Sequence, residues 1–176
     1  MSLREFTDAD MFGESATDED TTTCTLNRDG HLVVELGESL LQHINQLATQ
    51  RYKSSGGTHT KRDNSRSERQ IHVDGLKAEA ALAEAYDESE LDEEIYHGTG
   101  DGGVDTDLRL GGEVVSVDVK CASHDPPWIK VEAGAIESKS EEERCDAYVA
   151  AVVDGTTVEF YGWLPSEEVI DTKHKR

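Results

Sequence analysis

The sequence predicts one domain in which α-helices and β-hairpins share a single core. A chain of 176 residues is long enough for one domain with a real core and too short for two of ordinary size. Two segments space their apolar residues at the helical period. Three pairs of β-prone runs are separated by turn formers.

Residues 1–21 are rich in Asp, Glu, Thr and Ser with little to bury, which predicts a disordered acidic tail and an ordered domain over 22–170. Thr22–Leu26 and His31–Leu36 then read as a hairpin turning at Asn27–Gly30. Across Glu38–Arg51, Leu40, Leu41, Ile44, Leu47 and Ala48 recur at helical spacing. Residues 52–70 hold almost nothing apolar and predict a basic loop. A second helix follows over His72–Tyr86, with Asp74 as its cap.

After an acidic connector, Val104–Leu110 and Glu113–Cys121 are β-prone runs joined by Gly111-Gly112, a two-residue hairpin signal. Further strands are predicted at Trp128–Val131, Ala147–Val153 and Thr157–Trp163, the last two turning at Asp154-Gly155. A short helix is expected after Pro165, and residues 171–176 form a basic tail.

With 38 Asp plus Glu against 17 Lys plus Arg, the formal net charge is -21. A concentrated acidic surface would mimic nucleic acid or recruit a basic partner. Here the acids are spread along most of the chain, which favours a halophilic origin instead. In molar salt the Debye length is about 3 Å, so the acidity does not exclude DNA as a partner.

Cys24, Cys121 and Cys145 form no CxxC pair and cannot all pair internally, so neither a disulfide framework nor a zinc knuckle is expected. No apolar run approaches 18 residues, and Arg4, Glu5 and Asp8 stand where a signal peptide needs an apolar core. The expectation is a cytoplasmic protein with no membrane role. His59, His97 and His124 share no ligand spacing with each other or with the cysteines, and Trp128 and Trp163 read as packing residues.

If Gly111 and Gly112 are the loop of the second hairpin, its register puts Leu110 opposite Glu113 and Asp105 opposite Asp118. Val104, Leu108, Leu110, Val115, Val117 and Val119 then share the core side. Asp105, Asp107, Ser116, Asp118 and Lys120 share the other. Acids facing each other across strands repel, and a divalent cation between them reverses that sign. Lys120 stands on the same side, where an ammonium orients water or offsets phosphate charge in a transition state. Alternating acids are also what the wet side of a hairpin carries in so acidic a chain. Glu79 adds weight, because it falls on or beside the apolar stripe Val73, Leu76, Ala80, Ala83 and Tyr86, and a carboxylate there needs a partner.

The segments Gly75-Leu76-Lys77-Ala78-Glu79, Gly100-Asp101-Gly102-Gly103-Val104-Asp105 and Val117-Asp118-Val119-Lys120 resemble the PD-(D/E)XK nuclease superfamily, which includes restriction endonucleases and archaeal Holliday junction resolvases. The order matches: a helix glutamate, a strand aspartate, then D-x-K on the next strand. Val104 stands where the pattern has proline, and Asp118 where glutamate is commoner. The resemblance covers residues 70–165. It implies an α/β, restriction-endonuclease-like core with a mixed central sheet flanked by helices, Mg²⁺ or Mn²⁺ as cofactor, and hydrolysis of DNA phosphodiester bonds. Glu79, Asp105 and Asp118 would be metal ligands, and these three with Lys120 the catalytic set. The alternative is a catalytically silent nucleic-acid-binding protein of the same fold.

Arg51, Lys53, Lys61, Arg62, Arg66 and Arg69 crowd one short stretch opposed by Asp63 and Glu68. Such a segment beside the helix of Glu79 suits the phosphate backbone of DNA, adding affinity without reading sequence. The alternative for this stretch is a solvated loop. A homodimer is left open.

Overall fold

A computed structural model of the chain describes residues 20–54, 67–86, 104–110, 112–122, 131, 136, 139–140 and 144–169. In chain order these contain β1 (Thr23–Leu26), β2 (Leu32–Glu35), α1 (Glu38–Ser54), α2 (Glu68–Ala85), β3 (Thr106–Leu110), β4 (Glu113–Ala122), β5 (Ala147–Asp154) and β6 (Thr157–Pro165). The strands form one sheet in the order β1-β2-β6-β5-β4-β3. Every pairing is antiparallel except β4 with β5, which is parallel, so the sheet is mixed. A parallel pair needs a long crossover, and residues 123–146 supply the length.

The hairpins follow from turn chemistry. Leu110 pairs with Glu113, the register expected from sequence for a two-residue turn, and Gly112 has φ +88°. Asp154 pairs with Thr157, which moves the predicted turn one residue on, to Gly155-Thr156. In the first hairpin the Asn27 side chain accepts from the Asp29 and His31 amides at 2.9 and 3.0 Å, an Asx-type turn that closes β1 onto β2.

α2 lies against the sheet and α1 lies against α2. From α1 come Ile44, Leu47 and Ala48; the sheet contributes Leu32, Val34, Val117, Val149 and Phe160. Between them Ala78, Ala80, Ala81 and Ala85 of α2 are buried, as short side chains suit a helix covered on two sides. β5 is buried from Ala147 to Ala151 on both parities, because the opposite face carries a second cluster of Ile136, Cys145 and Tyr148.

β6 contains a bulge. Ala150 pairs with Gly162 but Ala151 pairs with Phe160, leaving Tyr161 as the extra residue. Gly162 has φ +129°, a region that favours glycine. The extra residue lets Phe160 and Trp163, three apart and of opposite parity, both pack against the α2 side.

Several boundaries differ from expectation. α1 runs to Ser54 and α2 begins at Glu68, so helix extends into both ends of the predicted loop 52–70, and its middle lies outside the described residues. The cap of α2 is Ser67, whose hydroxyl accepts from the Gln70 amide at 3.1 Å. Asp74, expected as the cap, lies inside the helix, buried, and accepts from Gln70 Nε2 at 2.7 Å. The exposed first turn of α2 carries no apolar period, which hid its start. Asp20, inside the predicted tail, accepts from the Ser39 amide at 2.9 Å and so serves the start of α1. Residues 166–169 form the expected short helix. The strand predicted at Trp128–Val131 lies outside the described residues except Val131, which is not in a strand. Cys24, Cys121 and Cys145 are free thiols, and among the described residues no helix is long and apolar enough to cross a membrane.

Candidate active site

Asp105 sits one residue before β3, where the ladder with β4 ends at Thr106 and Val117. Its amide donates to the Val117 carbonyl at 2.8 Å, and its Oδ2 accepts from the Val119 amide at 2.6 Å. The carboxylate thus takes over a backbone position on β4. This corrects the expected register: Asp105 is not a ladder partner of Asp118. Val104 shifts too, packing on the Ile136–Tyr148 cluster instead of the α2 side, and Leu110 at the hairpin tip is exposed.

Asp118 stands on β4 in register with Tyr148 of β5, on the face turned away from Val117 and Val119. Of the two readings of that face, a site or a solvated hairpin side, burial goes against the second at this position: Asp118 is 5% exposed. Its Oδ1 is buried and accepts no hydrogen bond among the described residues. The Lys120 ammonium lies against that same oxygen as an ion pair. Lys120 is 38% exposed, its Nζ 6.0 Å from the Tyr148 ring centroid. Glu79 of α2 is nearly buried, and its Oε2 is 3.4 Å from Arg51 Nη1.

These groups act on one another. Burial, then the carboxylates of Glu79 and Asp118, push the Asp105 carboxyl up to about 9, against the opposing pull of the Val119 amide and the Lys120 ammonium. At neutral pH Asp105 therefore holds its proton.

The consequence for stability has a definite sign. The unfolded chain releases this proton near 3.8 and the folded chain near 9, so between those values the native state binds more protons. Stability contributed by the protonated carboxyl is complete below 3.8 and is lost as pH rises toward 9. We expect chelator-treated protein to unfold more easily at pH 8.5 than at pH 5, and Asp105→Asn to flatten that difference. Parallel pH profiles of the two proteins in urea unfolding would contradict it.

Among the described residues no three His, Cys, Asp or Glu side chains form a ready metal cage. The donor set nevertheless suits a hard cation: a buried Asp118 oxygen that accepts no hydrogen bond and is met by Lys120, beside an Asp105 carboxyl that burial and then its acidic neighbours keep protonated. Asp107, expected on the same side, is exposed on β3.

The predicted phosphate-binding residues divide. Arg51 and Lys53 lie in the last turn of α1, and Arg69 in the first turn of α2. Lys53 and Arg69 are exposed, Arg69 donating to Thr49 Oγ1 at 3.4 Å, whereas Arg51 is directed at Glu79. Lys61, Arg62 and Arg66 lie outside the described residues.

Sequence reading did not single out Tyr148, Cys145 and Ser166. Tyr148 lies beside Asp118 and under Lys120. Cys145 Sγ is 3.6 Å from Ser166 Oγ, which donates to the Cys145 carbonyl at 2.6 Å. Burial raises the pKa values of both Cys145 and Tyr148, so both stay neutral behind the acids. The signal was the unbroken apolar run Ala147–Val153, which marks a strand covered on both faces.

The geometry defines a mixed α/β domain with two acids and a lysine gathered where β3 meets β4, and with Glu79 of α2 near enough to bear on the charge of Asp105. No family model matches the chain, and neither a curated protein nor a solved structure matches it.

Proposed function

We propose that the chain is a Mg²⁺- or Mn²⁺-dependent nuclease that hydrolyses DNA phosphodiester bonds on the PD-(D/E)XK plan. The observation that carries the reading is the buried Asp118 Oδ1, which accepts no hydrogen bond and has Lys120 against it. A carboxylate this deeply buried is costly to keep charged, and the cation that meets it is the lysine of the same D-x-K segment, an exchangeable partner that can give the acid to a metal ion and carry its own charge to a phosphate.

Asp105, Asp118 and Glu79 would hold the divalent ion, which when bound supplies Lewis-acid stabilisation of charge on the phosphoryl oxygens. Lys120 does the rest of the electrostatic work. Being partly exposed, its ammonium can leave Asp118 for the scissile phosphate, where negative charge grows in the transition state. Tyr148, held neutral, gives Lys120 an aromatic face and keeps the inner side of Asp118 dry. Asp105 is fastened to β4 by two hydrogen bonds, which fixes one acid while the lysine moves.

The test is incubation of the protein with linear, nicked and branched DNA in high salt with Mg²⁺, Mn²⁺ or EDTA. Cleavage with either ion and none in EDTA is expected. Binding without cleavage under every condition would replace this reading with a silent DNA-binding protein. Neither binding nor cleavage would remove nucleic acid from the account.

A further inference from the structure

Arg51 was expected to meet DNA phosphate. Its placement assigns it a different task. It stands in the last turn of α1, and its guanidinium reaches across to α2, where Nη1 is 3.4 Å from Glu79 Oε2. The two side chains are 13% and 12% exposed, so the pair is largely withdrawn from water and weakly screened by salt. A guanidinium keeps its charge at any pH a protein meets.

The site as a whole explains why a cation is kept there. Among the described residues Lys120 lies on Asp118 and Arg51 on Glu79, so each of these two acids has a cation beside it. A divalent ion taking Glu79 as ligand meets Arg51 already on that carboxylate, and the two positive charges repel at short range.

We propose that Arg51 is a built-in competitor for the divalent cation at Glu79: it balances this carboxylate in the metal-free protein and yields it when the ion binds. The inference rests on Glu79 being a ligand in the nuclease reading. Its effect is to couple the position of the α1 terminus to metal occupancy. Coupling of this kind is reciprocal, so whatever draws Arg51 off Glu79 also tightens metal binding.

The experiment is calorimetric titration of the full chain with Mn²⁺, without DNA, at one fixed salt concentration, paired with thermal unfolding in chelator. Arg51→Gln should bind Mn²⁺ about tenfold more tightly than wild type, within the usual range of such couplings. The same variant should unfold at lower temperature when metal-free, because Glu79 has lost a buried partner. Arg51→Lys keeps the charge but loses the planar fork, so it should fall between the two, and it carries the test if Arg51→Gln folds poorly. On a Glu79→Gln background, replacing Arg51 should no longer change Mn²⁺ affinity. Mn²⁺ binding by wild type with unchanged or weaker binding by both Arg51 variants overturns the inference alone, making Arg51 a structural or positioning partner of Glu79. No Mn²⁺ uptake by any of these proteins overturns the nuclease reading together with it.

Discussion

Asp105→Asn and Asp118→Asn should each lower DNA cleavage by three orders of magnitude or more while DNA binding stays largely intact. The size follows from the role: each change removes an anionic ligand from a site whose chemistry depends on a bound cation, and about 4 kcal/mol of lost transition-state stabilisation is a factor of ~10³. The two variants differ in the metal-free protein. Asp105→Asn removes a carboxyl that burial, and then its acidic neighbours, already keep protonated, so stability at neutral pH should rise or hold level. Asp118→Asn replaces a buried oxygen that accepts no hydrogen bond, but also strips Lys120 of its ion pair, so little net change is expected. Single-turnover cleavage with saturating Mg²⁺ is the measurement. Wild-type rates in both variants would dispose of the site, whatever the fold.

Much of this site was legible because hairpin geometry is strict. Two glycines between β-prone runs fixed the register of β3 on β4, and the register put Asp118 and Lys120 on one face. The same rule failed at Asp105, one residue beyond the ladder, because a side-chain oxygen replaces the backbone there and register no longer applies. Whether that face was wet could not be read from alternation alone. Ser116, Asp118 and Lys120 alternate as a solvent face would, yet Asp118 is buried because Tyr148 and Cys145 cover the neighbouring strand. The covering elements lie far along the chain and leave no mark on β4 itself.

The helices were legible in their middles and less so at their ends. Ile44, Leu47 and Leu76 declare their periods through burial, whereas the exposed turn at Ser67–Ile71 is held by a cap and a propensity that apolar spacing does not register. This affects function directly. Read as the last residue of a helix that ends there, Arg51 is grouped with the basic stretch that follows and with its phosphate-binding role. Inside a helix that runs on to Ser54, it is held toward Glu79. A composition argument that groups Arg51 with Lys61, Arg62 and Arg66 treats these cations as equivalent, and geometry separates Arg51 from the exposed Lys53 and Arg69.

Lys120→Ala should still bind Mg²⁺ and DNA, yet cleave about 10² to 10⁴ times more slowly, the loss of roughly 3 to 5 kcal/mol of transition-state stabilisation. The argument turns on where the charge of the lysine is needed. In the metal-free protein its ammonium lies on Asp118 Oδ1, and a cation at that acid would leave the ammonium without this partner. A released ammonium at 38% exposure is within reach of a bound phosphate, where transition-state charge exceeds ground-state charge, so its contribution appears in rate more than in affinity. Removing it also takes a positive charge from beside Asp118, so Mg²⁺ affinity should rise slightly and not fall. Lys120→Arg should rescue little, because a planar fork does not replace a compact ammonium above the Tyr148 ring. In a silent DNA-binding protein Lys120 is one more cation, and its loss weakens affinity a little with no chemistry to lose. If single-turnover cleavage by Lys120→Ala matched the wild type, the mechanism would be wrong even with Asp105 and Asp118 confirmed as ligands. That result would shift the positive charge needed in the transition state to the metal ion alone.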